Sequence, residues 1–173
     1  MIQIYIQELA TYNSAVGVGK WINVEDFDSE IKALFEEATE VLKNEDLYYG
    51  VDAEEYEIVD WECEVDIDLK NIYQDIDKLQ TINDLLNELD QDEIDKLGYL
   101  LDIGCDITDI TIDTLENVWS NSDWDEAVEE FIEYGLDIPV DSKIYNYIDY
   151  DKIQRDLEID GYTEYNGKIY REV

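Results

Sequence analysis

The side chains of this sequence that could do chemistry are almost all carboxylates. Its 173 residues include 47 Asp and Glu against 11 Lys and Arg, and no His. Without His, Ser-His-Asp or Cys-His catalysis and zinc sites built on imidazole are impossible. Among so many acids, some pair of carboxylates will have the separation used in glycoside hydrolysis by chance. Such a pair is therefore no evidence for a glycosidase. We therefore expect no catalytic residue and no enzymatic activity.

Three short motifs resemble known ligand sites, and each is incomplete. Asp66-Ile67-Asp68 and Asp90-Gln91-Asp92 hint at calcium, but neither continues into the twelve-residue loop of an EF-hand. The segment 16–20, Val-Gly-Val-Gly-Lys, lacks the spacing of a P-loop, and Trp rather than Ser or Thr follows its lysine. This segment predicts a turn between two strands. We expect no metal site and no cofactor.

The cysteines and tryptophans favour structural roles. Cys63 and Cys105 form no CxxC motif, so we expect two buried free thiols. The four tryptophans are expected in the core rather than as platforms for sugars. Because Met1 leads directly into a strand-like segment with no signal peptide, and no apolar run reaches about 20 residues, the sequence predicts a cytoplasmic protein.

The negative charge is spread over the whole chain. Its net value is −36, and residues 1–60, 61–120 and 121–173 contribute −12, −14 and −10. An interaction tail would concentrate the charge at one end. The chain is also 45% hydrophobic and 12% aromatic, whereas acidic disordered proteins are poor in such residues. The sequence therefore predicts a folded protein whose carboxylates coat its surface.

Helical periodicity explains how this coat coexists with a core. Apolar residues recur at helical spacing over residues 29–42, and acidic residues occupy the opposite face. A second such helix begins at Trp124, with Asp123 as its predicted N-cap and Gly135 as its stop. Like charges four residues apart cost a few tenths of a kcal/mol per pair. Stability alone would not favour these acidic faces, which indicates a function for them.

The remaining pattern predicts an α+β fold, arranged as an elongated chain of three small modules. Strands at 2–7, 20–24 and 56–61 with the first helix form an N-terminal α+β module, residues 1–63. A helical middle module, 64–115, has breaks near Thr81, Asp90 and Gly104, with Thr81 and Asp84 starting a helix over 82–89. A C-terminal α+β module, 116–173, contains a helical region at 143–159 and a final hairpin around Asn166-Gly167.

This charge limits the partners. Nucleic acid and anionic membranes attract Lys and Arg, so neither is expected to bind the protein directly. Three explanations of an acidic coat remain: halophilic adaptation, cation buffering, and imitation of a polyanion. Because duplex DNA carries one charge per about 1.7 Å, a charge of −36 corresponds to roughly 60 Å of duplex, or about 18 base pairs. Three modules in a row could display that charge at the density of DNA.

Several segments resemble the ArdA-type antirestriction proteins of plasmids, conjugative transposons and phages. The N-terminal stretches Ile4-Tyr5-Ile6, Leu9-Ala10-Thr11-Tyr12-Asn13 and Gly19-Lys20-Trp21-Ile22 are similar to the family's opening "IYVA-LAAYN…GAWID". Residues 54–62 are similar to its "EEWAIHDYE", and residues 145–161 to its "NYIDY…RDL…G". The acidic helix that ends near Leu136-Asp137-Ile138-Pro139 lies where the family has its antirestriction motif.

This resemblance implies a non-enzymatic inhibitor that mimics bent DNA and occupies the DNA groove of type I restriction-modification enzymes, at the methyltransferase core of specificity and modification subunits. It also implies an elongated homodimer joined through the C-terminal modules, for which we predict contacts by Phe131, Ile138 and Pro139. A mimic aimed at another DNA-binding machine, such as a CRISPR effector, a repressor or a nucleoid protein, stays an alternative, as does cation buffering. The predicted phosphate-mimicking carboxylates are Glu30, Glu36, Glu37, Glu40, Asp75, Asp84, Glu88, Asp92, Asp95, Glu126, Glu129, Glu130 and Glu133.

Overall fold

The computed structural model describes residues 1–139 and 141–172 and has the predicted α+β fold. The chain divides into two compact units, Met1–Asp109 and Ile110–Val173, each with a three-stranded antiparallel sheet and helices. The first unit includes both the predicted N-terminal module and most of the predicted middle one. The division into three modules stays a prediction.

The sheet of the first unit is built from β1 (Ile2–Glu8), β2 (Gly19–Asn23) and β3 (Tyr56–Cys63) in the order β2-β1-β3. Strict alternation along β1 explains its two faces, because successive side chains of a strand point to opposite sides. Its three isoleucines at positions 2, 4 and 6 are fully buried, and the residues between them are half-buried. A short helix, α1 (Leu9–Asn13), follows β1 where the sequence indicated only a loop.

Helix α2 (Phe27–Asn44) packs on the isoleucine face of this sheet. The predicted helix is present and is longer by two residues at each end. It buries the predicted stripe, including Ile31, Leu34, Ala38 and Leu42, because these side chains recur at helical spacing on one face.

Two further helices, α3 (Ile76–Leu86) and α4 (Gln91–Asp102), complete the first unit. The predicted break at Thr81 is wrong: Asp75 caps α3, and Thr81 lies inside the helix with its hydroxyl bonded to the Asp77 carbonyl. The predicted break at Asp90 is confirmed, since Asp90 caps α4 in a capping box with Glu93.

The second unit contains a short helix, a sheet and two longer helical segments. Helix α5 (Ile112–Glu116) precedes β4 (Val118–Asn121), a strand that the sequence pattern does not predict. Asp123 caps α6 (Trp124–Glu130) as predicted, and a π-helical turn continues it over Phe131–Gly135. The remaining elements are α7 (Tyr150–Ile159), β5 (Thr163–Tyr165) and β6 (Lys168–Glu172), with a sheet order of β4-β6-β5.

The C-terminal hairpin is confirmed, and the helix predicted before it is shorter than expected. Asn166 and Gly167 both have positive φ angles, 49° and 78°, as a two-residue type I′ turn requires. Within the region 143–159, the structure has a 3-10 turn at Tyr145–Tyr147 and begins α7 only at Tyr150. Asp149 separates them because its backbone is extended and its carboxylate accepts from the Lys152 N–H as the helix cap.

Two smaller predictions concern thiols and membranes. Within the described residues, neither Cys63 nor Cys105 forms a disulfide, as predicted, but both are half-buried rather than fully buried. Among the described residues, no helix combines the length and apolar character that crossing a bilayer requires.

Candidate functional site

The carboxylates lie almost entirely on the surface of both units. Of the 47 acidic residues, Glu8 is buried, four are half-buried, and all others are exposed; the four are Glu30, Glu93, Asp95 and Glu130. Glu8 has a local role, since its two side-chain oxygens accept from the backbone N–H groups of Ala10 and Thr11 at the start of α1. The structure therefore places the acidic side chains on the surface, as the sequence predicts.

On α2, the predicted residues Glu36, Glu37 and Glu40 are exposed on the side opposite the buried stripe. Glu30, six to ten residues earlier, differs because the Lys20 ammonium on β2 lies 2.6 Å from its carboxylate. The two side chains are 31% and 42% exposed. This pair links α2 to the sheet and neutralises one charge of the helix surface.

The middle carboxylates fall into two groups. Asp84 and Glu88 are exposed near the end of α3, while Asp75 is exposed and serves as the N-cap of that helix. On α4, Asp92 lies 3.0 Å from the Lys96 ammonium, and Asp95 accepts a hydrogen bond of 2.8 Å from the Gln91 amide. Both contacts are between neighbours four residues apart on one helix.

The C-terminal carboxylates also divide by their contacts. Glu133 is exposed, and Glu126 and Glu129 are exposed while accepting hydrogen bonds from the hydroxyls of Ser122 and Tyr150. Glu130 is half-buried. Its two oxygens accept from the Trp119 indole N–H at 3.2 Å and the Asn121 amide at 2.9 Å, both on β4. Glu130 therefore joins α6 to the sheet, which periodicity along one helix could not reveal.

Several of the few lysines are held by carboxylates. Besides the pairs on Glu30 and Asp92, the Lys78 ammonium lies 2.6 Å from Asp106 and the Lys152 ammonium 3.2 Å from Asp149. The Lys78 contact, with hydrogen bonds from Thr108, lowers the pKa of Asp106 to about 2. These lysines take part in local pairs, so they leave most of the coat uncompensated.

The first sheet carries functional candidates outside the predicted set of carboxylates. On β3, Glu57, Asp60 and Glu62 are exposed beside the central strand, where they pair in register with Gln7, Tyr5 and Gln3. Trp21 on β2 is 42% exposed, so the prediction that it lies in the core is wrong. Acidic residues recur at 57, 60 and 62 of a strand-like segment, and this recurrence is the signal that could have revealed the column of acids.

Two of the three residues predicted for a dimer interface pack inside the chain's own second unit. Phe131 and Ile138 are half-buried and pack against the cluster of Val128, Ile132 and Leu157. Pro139 is exposed. Phe131 and Ile138 thus belong to the core of the second unit, and other apolar side chains of that unit are more exposed to solvent than these two. These more exposed residues are Tyr134, Leu136, Ile144, Tyr147 and Ile159.

The described residues form no cluster built to hold a metal ion. Within residues 1–139 and 141–172, no group of three or more Asp, Glu or Cys is arranged to hold a metal ion. An open cleft of about 440 Å³ lies beside α2, lined by Phe35, Glu36, Thr39, Glu40, Lys43, Asp52 and Ala53. Its polar lining is again mainly acidic. What the surface can do chemically is attract cations and cationic side chains.

Comparison with known proteins identifies the family to which this acidic protein belongs. The family model of the antirestriction protein ArdA matches residues 4–172. The chain belongs to the ArdA family. The match spans both units, and it confirms the resemblance seen in the N-terminal, β3 and C-terminal segments. ArdA membership identifies antirestriction as the function and restriction-modification enzymes as the class of partner. Among curated proteins, none matches this chain.

Proposed function

We propose that the protein inhibits type I restriction-modification enzymes by mimicking DNA, with its carboxylates in place of duplex phosphates. The observation that carries the proposal is the exposure of nearly all 47 acidic residues on both units of an ArdA-family chain. The occupied surface would be the DNA-binding groove of the methyltransferase core, formed by specificity and modification subunits. The inhibitor would act in the bacterial cytosol, where that enzyme works.

Electrostatics alone would drive much of this binding. A groove that binds DNA presents Lys and Arg to phosphates, and a net charge of −36 steers the protein toward such a surface. No base recognition is needed, because phosphate contacts position a ligand without reading its sequence. Each exposed carboxylate contributes little alone, since pairs at a surface are screened and weak. Inhibition would therefore depend on many residues together.

A second copy of the chain is a further proposed partner. We propose a homodimer formed by the second unit, which exposes Tyr134, Ile144 and Tyr147, the last at 89%. In sedimentation velocity, replacing Tyr147 and Ile144 by Ser should shift the protein toward monomer. Phe131→Ala should instead lower stability, because Phe131 packs inside its own unit. A dimer unchanged by the double replacement would remove these side chains from the interface.

The deciding experiment is competition for the DNA groove. Increasing amounts of the protein are added to a type I methyltransferase core bound to a labelled duplex, at two salt concentrations. Stoichiometric displacement of the duplex that weakens at high salt is expected. No displacement at micromolar protein would contradict the type I assignment and direct the search to another DNA-binding machine.

Variants of α2 test the mimicry itself. Replacing Glu36, Glu37 and Glu40 by Lys should strongly reduce displacement, whereas any one replaced by Gln should have little effect. Lys32→Gln on the same helix is the matched control, because it alters the exposed surface without removing a carboxylate. Loss of displacement from one single replacement would contradict a distributed mimic and indicate a discrete site.

A further inference from the structure

The first sheet has a face turned away from its isoleucine core that combines aromatic rings with carboxylates. Its central strand contributes Gln3, Tyr5 and Gln7, which alternate with the buried isoleucines and are half-buried. Trp21 on β2 pairs in register with Tyr5 on one side, and the acidic column of β3 lies on the other side. Adjacent strands are about 4.8 Å apart, so Tyr5 lies one strand from the carboxylates and Trp21 lies two strands, roughly 10 Å, from them.

The aromatic pair is held in a fixed arrangement. The rings of Tyr5 and Trp21 meet edge to face, with centroids 5.6 Å apart and planes at 63°. The Tyr5 ring also covers Gly19, where a Cβ would come within 2.9 Å of the Tyr5 hydroxyl. Position 19 therefore has to be glycine, because a side chain there would clash with the Ile6 carbonyl and the Tyr5 ring. Trp21 sits at the outer edge of this pair and is 42% exposed.

Trp21 differs from Trp119 and Trp124 in its polar group, as does the half-buried Trp61. The indole N–H groups of Trp119 and Trp124 donate to Glu130 and Glu164. The Trp21 N–H makes no hydrogen bond within the part of the chain that the structure describes. An exposed tryptophan with a free donor is typical of a contact residue, because Trp, Tyr and Arg dominate the energetics of protein interfaces.

We propose that this face binds arginine side chains of a partner protein. A guanidinium ion stacks on Trp or Tyr rings by cation–π attraction, and its fork of N–H donors pairs with carboxylates. Trp21 and Tyr5 supply the rings, while Glu57, Asp60 and Glu62 supply acceptors one strand from Tyr5 and two strands from Trp21, so neighbouring arginines of one partner segment would share the face. The partner must be basic, since the surface around the rings is acidic. Arginine fits better than lysine, whose compact ammonium cannot stack or pair in two places at once.

This inference rests on the proposed function for the identity of the partner, which would be the arginine-bearing DNA groove of the enzyme. It deepens that function because charge alone does not distinguish arginine from lysine. An aromatic contact would give the mimic a feature that DNA phosphates lack. The face would then contribute more per residue than the exposed carboxylates of the helices.

The test measures the preference for arginine over lysine in the intact protein. Oligoarginine and oligolysine peptides of equal length are titrated into the protein at physiological ionic strength, and the ratio of their Kd values is taken. Trp21→Leu should weaken oligoarginine binding more than oligolysine binding, because the planar guanidinium also stacks on the ring, and so lower the arginine preference roughly two-fold. Trp21→Phe should retain the preference because it keeps an aromatic ring. Tyr49→Leu, at a tyrosine that is 89% exposed in the same unit, is the matched control and should have no effect.

An unchanged ratio in Trp21→Leu would overturn the proposal, as would an equal loss in Tyr49→Leu. Thermal unfolding of each variant establishes that it is folded, and Trp21→Phe keeps the edge contact with Tyr5 if the leucine variant unfolds. The assay contains no restriction enzyme. A failed peptide preference therefore leaves DNA displacement untouched, and failed displacement leaves the peptide preference untouched.

Discussion

Glu130 is a carboxylate whose importance we expect to be structural. Glu130→Ala would leave the Trp119 indole N–H and the Asn121 amide without their acceptor. Unpaired, partly buried donors of this kind cost about 1–3 kcal/mol. We therefore expect the free energy of unfolding, measured by urea denaturation, to fall by about that amount.

Glu133→Ala is the matched control for Glu130→Ala. Glu133 lies three residues further along and is exposed, so its replacement should change stability by no more than about 0.5 kcal/mol. Equal destabilisation by the two replacements would contradict the role assigned to the hydrogen bonds of Glu130.

The ionised Asp106 carboxylate stabilises the fold, whereas the other exposed carboxylates repel one another when they are ionised. Its folded pKa of about 2 lies below the ordinary value of 3.8, because Lys78 and Thr108 stabilise the charged form. The contribution is therefore complete above about pH 4 and is lost as the pH falls toward 2. Asp106→Asn should lower the urea midpoint at pH 7, and this difference from the unaltered protein should vanish near pH 2.

Asp102, a nearby exposed carboxylate, serves as a control that distinguishes loss of the Lys78 ion pair from loss of charge repulsion. Asp102→Asn removes one negative charge without breaking an ion pair, so it should leave the urea midpoint unchanged or raise it slightly at pH 7. A loss of stability equal to that of Asp106→Asn would show that the Lys78 pair is not the cause.

Among the elements, those with a strong local signal could be predicted from the sequence. The amphipathic stripe of α2 and the Asn-Gly turn of the hairpin are each specified by neighbouring residues. Strand β4 could not be found this way, because its four residues become a strand only through pairing with β6, about 50 positions later. The start of α3 was missed because Thr81 resembles an N-cap, yet its hydroxyl can bond inside a helix.

The same division applies to the candidate site. Exposure of Glu36, Glu37 and Glu40 follows from helical periodicity, so it could be predicted. The internal bonds of Glu30 and Glu130 involve partners on strands, so no pattern within their own helices indicates them. The sequence therefore predicts where the coat lies better than it predicts which carboxylates also support the fold.

The N-cap of α3 allows charge and structure to be tested separately. The Asp75 carboxylate accepts from the Lys78 backbone N–H. Asp75→Ala should lower the free energy of unfolding by about 0.5–2 kcal/mol, as loss of an N-cap does. Asp75→Asn removes the charge but keeps a capping oxygen, so it should cost much less.

Thr81→Ala provides the control within α3. Because Thr81 is inside the helix and exposed, we expect its urea midpoint to match that of the unaltered protein. A clear loss on replacing Thr81, with none on replacing Asp75, would place the start of the helix where the sequence first suggested it.

At the scale of the whole molecule, the coat must oppose folding by self-repulsion. Exposed charges on a chain of −36 repel one another more weakly as the screening length falls from about 30 Å in 0.01 M salt to about 3 Å in 1 M salt. The midpoint of thermal unfolding should therefore rise with sodium chloride. Each kcal/mol of relieved repulsion raises it by about 2–4 °C in a protein of this size.

Calcium distinguishes this screening from cation binding. At equal ionic strength, calcium chloride should stabilise the protein only modestly more than sodium chloride. A far larger increase in millimolar calcium would support cation buffering, because a ligand that binds only the folded state stabilises it. A midpoint that does not respond to sodium chloride would contradict the repulsion itself.

The acidic column of β3 has a consequence for solubility. β3 is an edge strand, and an unprotected edge is a template for pairing with a strand of another molecule, the first step toward fibrils. Glu57, Asp60 and Glu62 oppose such stacking by mutual repulsion, and the Gln74 amide already occupies the Ile58 carbonyl. The register shift between Tyr5 and Ile6 further disrupts a flat edge. The carboxylates proposed to attract an enzyme thus also act as gatekeepers against amyloid, a protection that ends when acid neutralises them.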